Sequence, residues 1–239
     1  MLSILEGLDD YNNAGALLGL DALDDAELLG ALRKMPAIKR QKTINKLTST
    51  GPASRGSRAE MEKHFGELPE HIKAGLAKHE LRLADTVIYS IKPANSKTIK
   101  MFETQDDKQI GLRNISNAKL PKNQALLVSG IVLLAGTSVD NTTDKIMATN
   151  FVGIENYPAI CTGETDLKAN KKQIFPETSN KVFKTSNFHY VPLGYYKLAN
   201  PRIIIDDILV ELTVQLGTMD GLPANTYIYV GLHGTITTP

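Results

Sequence analysis

From Pro201 to Pro239 the chain carries two runs in which side-chain character alternates every second residue. Ile208, Val210, Leu212, Val214 and Leu216 are interleaved with Leu209, Glu211, Thr213 and Gln215. After an eight-residue connection, Gly217 to Ala224, Ile228, Val230, Leu232 and Ile236 fall on one side, with Tyr227, Tyr229, His233, Thr235 and Thr237 on the other. Successive strand residues point to opposite faces, so this period of two in Val, Ile, Thr and Tyr predicts half-buried strands. Two such strands joined by Gly, Asp and Pro predict an antiparallel pair with one face on a core. The phase breaks at Asp206-Asp207: Ile203 and Ile205 are odd-numbered, whereas the row that follows is even. A β-bulge would account for the shift. Two adjacent residues face opposite ways, so these aspartates are poorly placed as a general acid/base pair.

The same period governs the chain from Asp85 onward. Strands are predicted at 86–91, 98–103, 108–115 and 124–135, the last with a kink at Ser129-Gly130. Shorter ones are predicted at 151–154, 158–161, 172–175 and 181–184, and another at 190–198. Roughly eight to ten strands with no intervening helices favour a sandwich or barrel over an α/β fold.

The first 84 residues read differently. Residues 1–30 carry seven acidic side chains and no basic one, whereas residues 31–60 carry eight basic side chains against Glu60 alone. A helix is predicted over 21–35, with Asp21, Asp24, Asp25 and Glu27 toward its start and Arg33-Lys34 toward its end, as the helix dipole favours. Pro36 opens a basic helix to about Leu47 that carries Lys39, Arg40, Lys42 and Lys46. This gives a helical arm over 1–48, a Gly/Ser/Pro-containing linker over 49–57, and short helices over 58–84. Ser57 and Glu60 are spaced as a capping box, and the helix opened at Pro69 is expected to reach about Leu83. These helices have too few apolar residues to form a bundle of their own and need a partner surface. The basic run Arg33, Lys34, Lys39, Arg40, Lys42 and Lys46 would contact either nucleic acid or the acidic group Asp21, Asp24, Asp25 and Glu27, of its own chain or a neighbour's. It holds no aromatic residue, so base stacking has no support.

The chemistry of sites adds little. Cys161 is the single cysteine, which excludes an internal disulfide and fits a reducing compartment. His64, His71 and His79 lack the close spacing of a helical zinc site, and no metal or other cofactor is expected. His189 and His233 sit beside tyrosines and read as packing residues. The loop Gly51–Arg58 is basic and could meet phosphate, but it lacks a phosphate-loop signature. No hydrolase, metalloprotease or redox motif occurs, so an enzyme is not expected. The start MLSILEGLDD has no basic leader region, and the apolar run Ala125–Gly136 is too short to span a bilayer.

Three stretches, KLPKNQALLVSGIVLLAG (119–136), NPRIIIDDILVELTVQLGT (200–218) and LPANTYIYVGLHGTITTP (222–239), follow a charged helical arm. In this layout the chain resembles viral and bacteriophage structural proteins, capsid or spike, with a jelly-roll core. The resemblance covers residues 85–239 and is one of texture, without a diagnostic motif. It implies a mainly β fold, an antiparallel β-sandwich of jelly-roll type with an N-terminal α-helical arm. It further implies a self-assembling shell subunit of a virion, made in a host cytoplasm. Such a subunit would be a homo-oligomer whose arms meet other subunits, other virion proteins or packaged nucleic acid. The alternative is a receptor- or carbohydrate-binding spike module, with Tyr190, Tyr195 and Tyr196 near Gly194 lining a ligand surface. A nucleic-acid-packaging protein is the third reading.

Overall fold

The computed structural model describes residues 61–185 and 191–239, and the chain separates into two units, residues 1–84 with 237–239 and residues 85–236. In the first unit the described residues bury Met61, Phe65, Leu68, Ile72, Leu76 and Leu81. A 3₁₀ turn, Phe65–Glu67, precedes helix α1, Glu70–Ala77. Pro69 starts α1, its carbonyl accepting from the amides of Ile72 and Lys73 at 3.0 Å each. The helix ends well short of Leu83. His79 takes a left-handed φ of 59°, which lets Glu80 N donate to Gly75 O at 2.9 Å and His79 N to Leu76 O at 3.1 Å. That is a Schellman stop with histidine where glycine is usual, so the sequence carried no sign of it.

The second unit is mainly β, with its strands in two antiparallel sheets. The strands are β1 (Arg82–Pro93), β2 (Thr98–Lys100), β3 (Ala125–Thr137), β4 (Val152–Gly153), β5 (Glu164–Ala169), β6 (Lys172–Ser179), β7 (Tyr195–Ile205), β8 (Val210–Gln215) and β9 (Thr226–Thr238). One sheet runs β1-β9-β3. At the far edge of β3, β7 pairs with Ala125–Val132 and β4 with Leu134 and Ala135. The other sheet runs β2-β8-β5-β6. With the two-residue β4 set aside, the eight remaining strands pair from the ends of the chain inward: β1 with β9, β2 with β8, β3 with β7, β5 with β6. The contacts β3–β9 and β5–β8 join those pairs sideways.

Several expectations are corrected here. The two terminal strands do not pair with each other: β8 lies between β2 and β5, and β9 between β1 and β3. The eight-residue connection is therefore a crossing from one sheet to the other rather than a hairpin loop. Asp206-Asp207 is likewise a turn between sheets and not a bulge. Asp207 has φ 56°, and the Asp206 carboxylate accepts from Asn123 N at 2.8 Å. No change of inward parity accompanies this turn: in β7 the even-numbered Leu198 and Ile204 are buried while Ile203 and Ile205 are half-buried, so even-numbered residues face the core before the turn as they do in β8. β7 runs straight through Asn200-Pro201, on an edge where a missing N–H is tolerated. The kink in β3 is present, as a register shift between Val128 and Gly130.

Residues 108–115 contain no long strand. Their turns are tied to β1 by Ile91 N donating to Leu112 O at 2.8 Å and by the Asn114 side chain, which bonds Tyr89 N and Val87 O. Thr143–Met147 is a short helix, α2, within the polar stretch 136–150, and Pro158–Cys161, expected as a strand, is a second, α3. Residues 180–183 are a 3₁₀ turn. The true strand between these, β5, was hidden by its polar residues. Buried Asp166 meets Lys168 Nζ at 3.0 Å, and buried Thr165 donates to Asn180 Oδ1 at 2.6 Å.

Alternate residues of the long strands form the core. Val210, Leu212 and Val214 of β8 and Ile228, Val230 and Leu232 of β9 are all at most 1% exposed. Each such side chain contributes about 1.5–3 kcal/mol by leaving water. The ring of Tyr196 on β7 lies 5.6 Å from Phe175 on β6 and 6.0 Å from Phe183, so one aromatic cluster joins strands of both sheets. The opposite face of β9 is not open either. Tyr227 is buried with Ile91, Leu112 and Ile146, and Tyr229 stacks on Tyr89 at 5.8 Å beside Phe151. The loop through Leu112 and helix α2 thus form an outer layer over the β1-β9 end of the sheet.

Candidate functional site

Every arm residue expected to make contacts lies outside the described residues: Arg33, Lys34, Lys39, Arg40, Lys42 and Lys46, and Asp21, Asp24, Asp25 and Glu27. The same holds for the loop Gly51–Arg58, His189 and Tyr190. Of the remaining tyrosines proposed to face a ligand, Tyr196 belongs to the inter-sheet aromatic cluster. Tyr195 lies across Gly130, edge-on to His233 at 5.7 Å, with its hydroxyl bonded to Ser129 and its pKa pushed up by burial. Both are packing residues. Gly130 at the β3 register shift leaves room for that ring, since a Cβ there would collide with it. His64 Nδ1 meets Glu67 Oε1 at 2.8 Å within its own turn, and no cluster of three His, Cys, Asp or Glu capable of holding a metal occurs among the described residues.

Cys161 ends helix α3 with its thiol donating to Ile154 O at 3.1 Å. Burial pushes the thiol pKa above its ordinary range. A folded pKa above the unfolded one means that the unfolded chain releases this proton first as pH rises. The stabilisation is complete at neutral pH and fades above about pH 8.5, where an unfolded thiol ionises. Alkylation of Cys161 by iodoacetamide at pH 8 is therefore expected to run several-fold slower in the native protein than in urea, as followed by intact mass.

A charged clasp holds the loop after β2. Lys92 Nζ lies 2.6 Å from Glu103 Oε2 and 2.7 Å from Asp106 Oδ2, and Arg113 Nη1 lies 2.7 Å from Asp106 Oδ1. The lysine, aspartate and arginine side chains are each less than a fifth exposed, so this network is sheltered from solvent. It fixes the loop that carries Leu112 over Ile91 and Tyr227. All four charges are paired with one another, which suits a structural tie.

Among the described residues, two clefts on the β unit stand out. The larger, about 480 Å³, gathers connections from both sheets: Pro93–Asn95, Asn141 and Met219 with Leu222–Tyr227. Its lining holds no charged side chain, and Tyr227 Oη is 3.2 Å from Asn141 Oδ1. The smaller, about 310 Å³, is lined by Lys108, Lys119 and Lys122 with Ile115, Leu120 and Pro121, against one carboxylate, Asp207. All three lysines are exposed. The larger cleft was not visible in the sequence because its turns lie far apart along the chain. The smaller is built mainly from residues 108–122, expected in part as a strand, with Asp207 added from afar. A run of positive-φ residues, Asn117, Ala118 and Asn123, shapes the second, and only the asparagines hint at it.

No protein-family model matches the chain, and no curated protein matches it.

Proposed function

We propose that this protein is a virion structural subunit, the shell protein of a phage-like particle, with residues 85–239 folded as a jelly roll. The observation that carries the reading is the end-to-middle pairing of eight strands. A hairpin ribbon of eight strands, closed at β5–β6 and rolled so that β3 meets β9 and β5 meets β8, is the pairing expected of a jelly roll. Pairing of this kind leaves few exposed edges, and those left here are managed. β2 has three residues, β6 and β7 carry Pro176 and Pro201, and β1 is bonded along part of its length by the loop through Leu112 and Asn114. Folds of this order also serve lectins and cupins. The arm separates those readings: a module that binds a soluble ligand has no use for a block of seven net negative charges followed by one of seven net positive. On the shell reading the acidic and basic halves, Asp21–Glu27 and Arg33–Lys46, join neighbouring subunits or face packaged nucleic acid.

Removing residues 1–48 tests this. The truncated chain is expected to keep its β-type circular dichroism and to run as a small species where the full chain forms large ones. Unchanged assembly of the truncated chain would refute the role of the arm.

The large neutral cleft favours a second reading, a receptor- or carbohydrate-binding spike. Asn95, Asn141 and Asn225 would offer amide donors and acceptors to hydroxyl groups there. A glycan array separates the two readings, since a shell subunit is expected to bind no glycan.

A further inference from the structure

The smaller cleft combines features that match one part of this chain. Its rim carries Lys108, Lys119 and Lys122 against Asp207, and Ile115, Leu120 and Pro121 line it between them. The lysines have no ion-pair partner within 4 Å among the described residues, unlike Lys92 and Arg113 in the clasp nearby. Ile115 and Leu120 are buried beneath the rim, 5% and 3% exposed, so the surface offers a ligand mainly its three lysines. An acidic peptide answers that charge without the stacking platform that single-stranded nucleic acid uses. The segment Leu18–Leu32 is such a peptide, carrying Asp21, Asp24, Asp25 and Glu27 among Leu20, Leu23, Leu28 and Leu29.

We infer that the acidic segment of one subunit's arm docks in the lysine-rimmed cleft of a neighbouring copy. The inference rests on the shell reading and names the surface that the arm engages. Reach is no obstacle: the 33 residues between Glu27 and Met61 span up to about 110 Å when extended. Opposed charges set partner and orientation and make the contact salt-sensitive. The arm's basic half, Arg33–Lys46, is then left free to meet something else.

The test uses the full-length chain, mixed one to one as ¹⁴N and ¹⁵N protein and treated with a zero-length carbodiimide cross-linker. Peptide pairs of mixed isotope joining Asp21, Asp24, Asp25 or Glu27 to Lys108, Lys119 or Lys122 are expected. The combined variant Lys108→Glu, Lys119→Glu, Lys122→Glu is expected to lose those pairs and to weaken self-association by about tenfold or more. All three positions are exposed, so the fold is not at stake. Adding Asp21→Lys, Asp24→Lys, Asp25→Lys and Glu27→Lys to that variant is expected to restore both. Large particles whose acidic segment cross-links only to Lys34, Lys39, Lys42 or Lys46, or only within one isotope, would overturn the docking while leaving the shell reading standing. A triple variant that assembles normally but loses retention on a polyphosphate column would also overturn it, assigning the cleft to nucleic acid. Absence of any large particle from the wild-type chain would remove the shell reading itself.

Discussion

Replacing Phe183 with alanine is expected to destabilise the β unit by about 3–5 kcal/mol, among the largest losses a single core truncation gives. Phe183 is fully buried at the end of a 3₁₀ turn, 6.2 Å from Phe175 and 6.0 Å from Tyr196. Phe175 belongs to the sheet of β8 and Tyr196 to the sheet of β9, so this ring fills the contact between strands of different sheets. Removing it leaves a cavity that two sheets, each held by its own ladder, cannot readily close. For a domain of this size the loss corresponds to a midpoint lower by roughly 10 °C. Thermal unfolding followed by circular dichroism measures it. A change of only a degree or two would mean that the two sheets do not depend on this cluster.

Gly234→Ala is expected to cost about 3 kcal/mol for the addition of one methyl group, at the upper end of what overpacking gives. Gly234 on β9 stands in register with Val128 on β3, next to the register shift at Gly130. A Cβ there would fall on the carbonyl oxygen of Leu127, a backbone atom of the adjoining strand that has no rotamer to escape into. Gly66→Ala is the control. Nothing lies within 4 Å of its Cβ position, so the substitution is expected to be neutral or to stabilise by well under about 1 kcal/mol. Urea unfolding of the two variants compares them directly, and equal midpoints would show that the close approach of β3 and β9 is not needed.

The parts of the fold legible in the sequence were those set by strand periodicity. β1, β3, β8 and β9 follow from rows of Val, Ile and Leu, and the kink in β3 follows from Ser129-Gly130. Pairing was not legible. An alternating strand has the same pattern whichever neighbour it meets, so β8 and β9, adjacent in sequence, read as partners although they lie in different sheets. β5 escaped notice because Asp166 and Thr165 are buried against Lys168 and Asn180, partners that only the fold supplies. The exposed face expected on β9 is closed by Leu112 and Ile146, from a loop and a helix that carried no periodic signal. As for sites, the charged arm was plain in composition. The lysine-rimmed cleft was not, because Lys108, Lys119 and Lys122 are ordinary surface residues until turns with positive φ at Asn117 and Asn123 bring them around Ile115 and Leu120.

The proposed assembly through charged arms can be read from light scattering of the full-length chain after size exclusion, at low and high salt, with electron microscopy of any large peak. The screening length falls from about 10 Å at 0.1 M salt to about 3 Å at 1 M, enough to weaken contacts between exposed charge blocks. Rings or shells are expected at low salt, coming apart as salt rises. A monomer or a plain trimer at every salt concentration would contradict the proposed assembly.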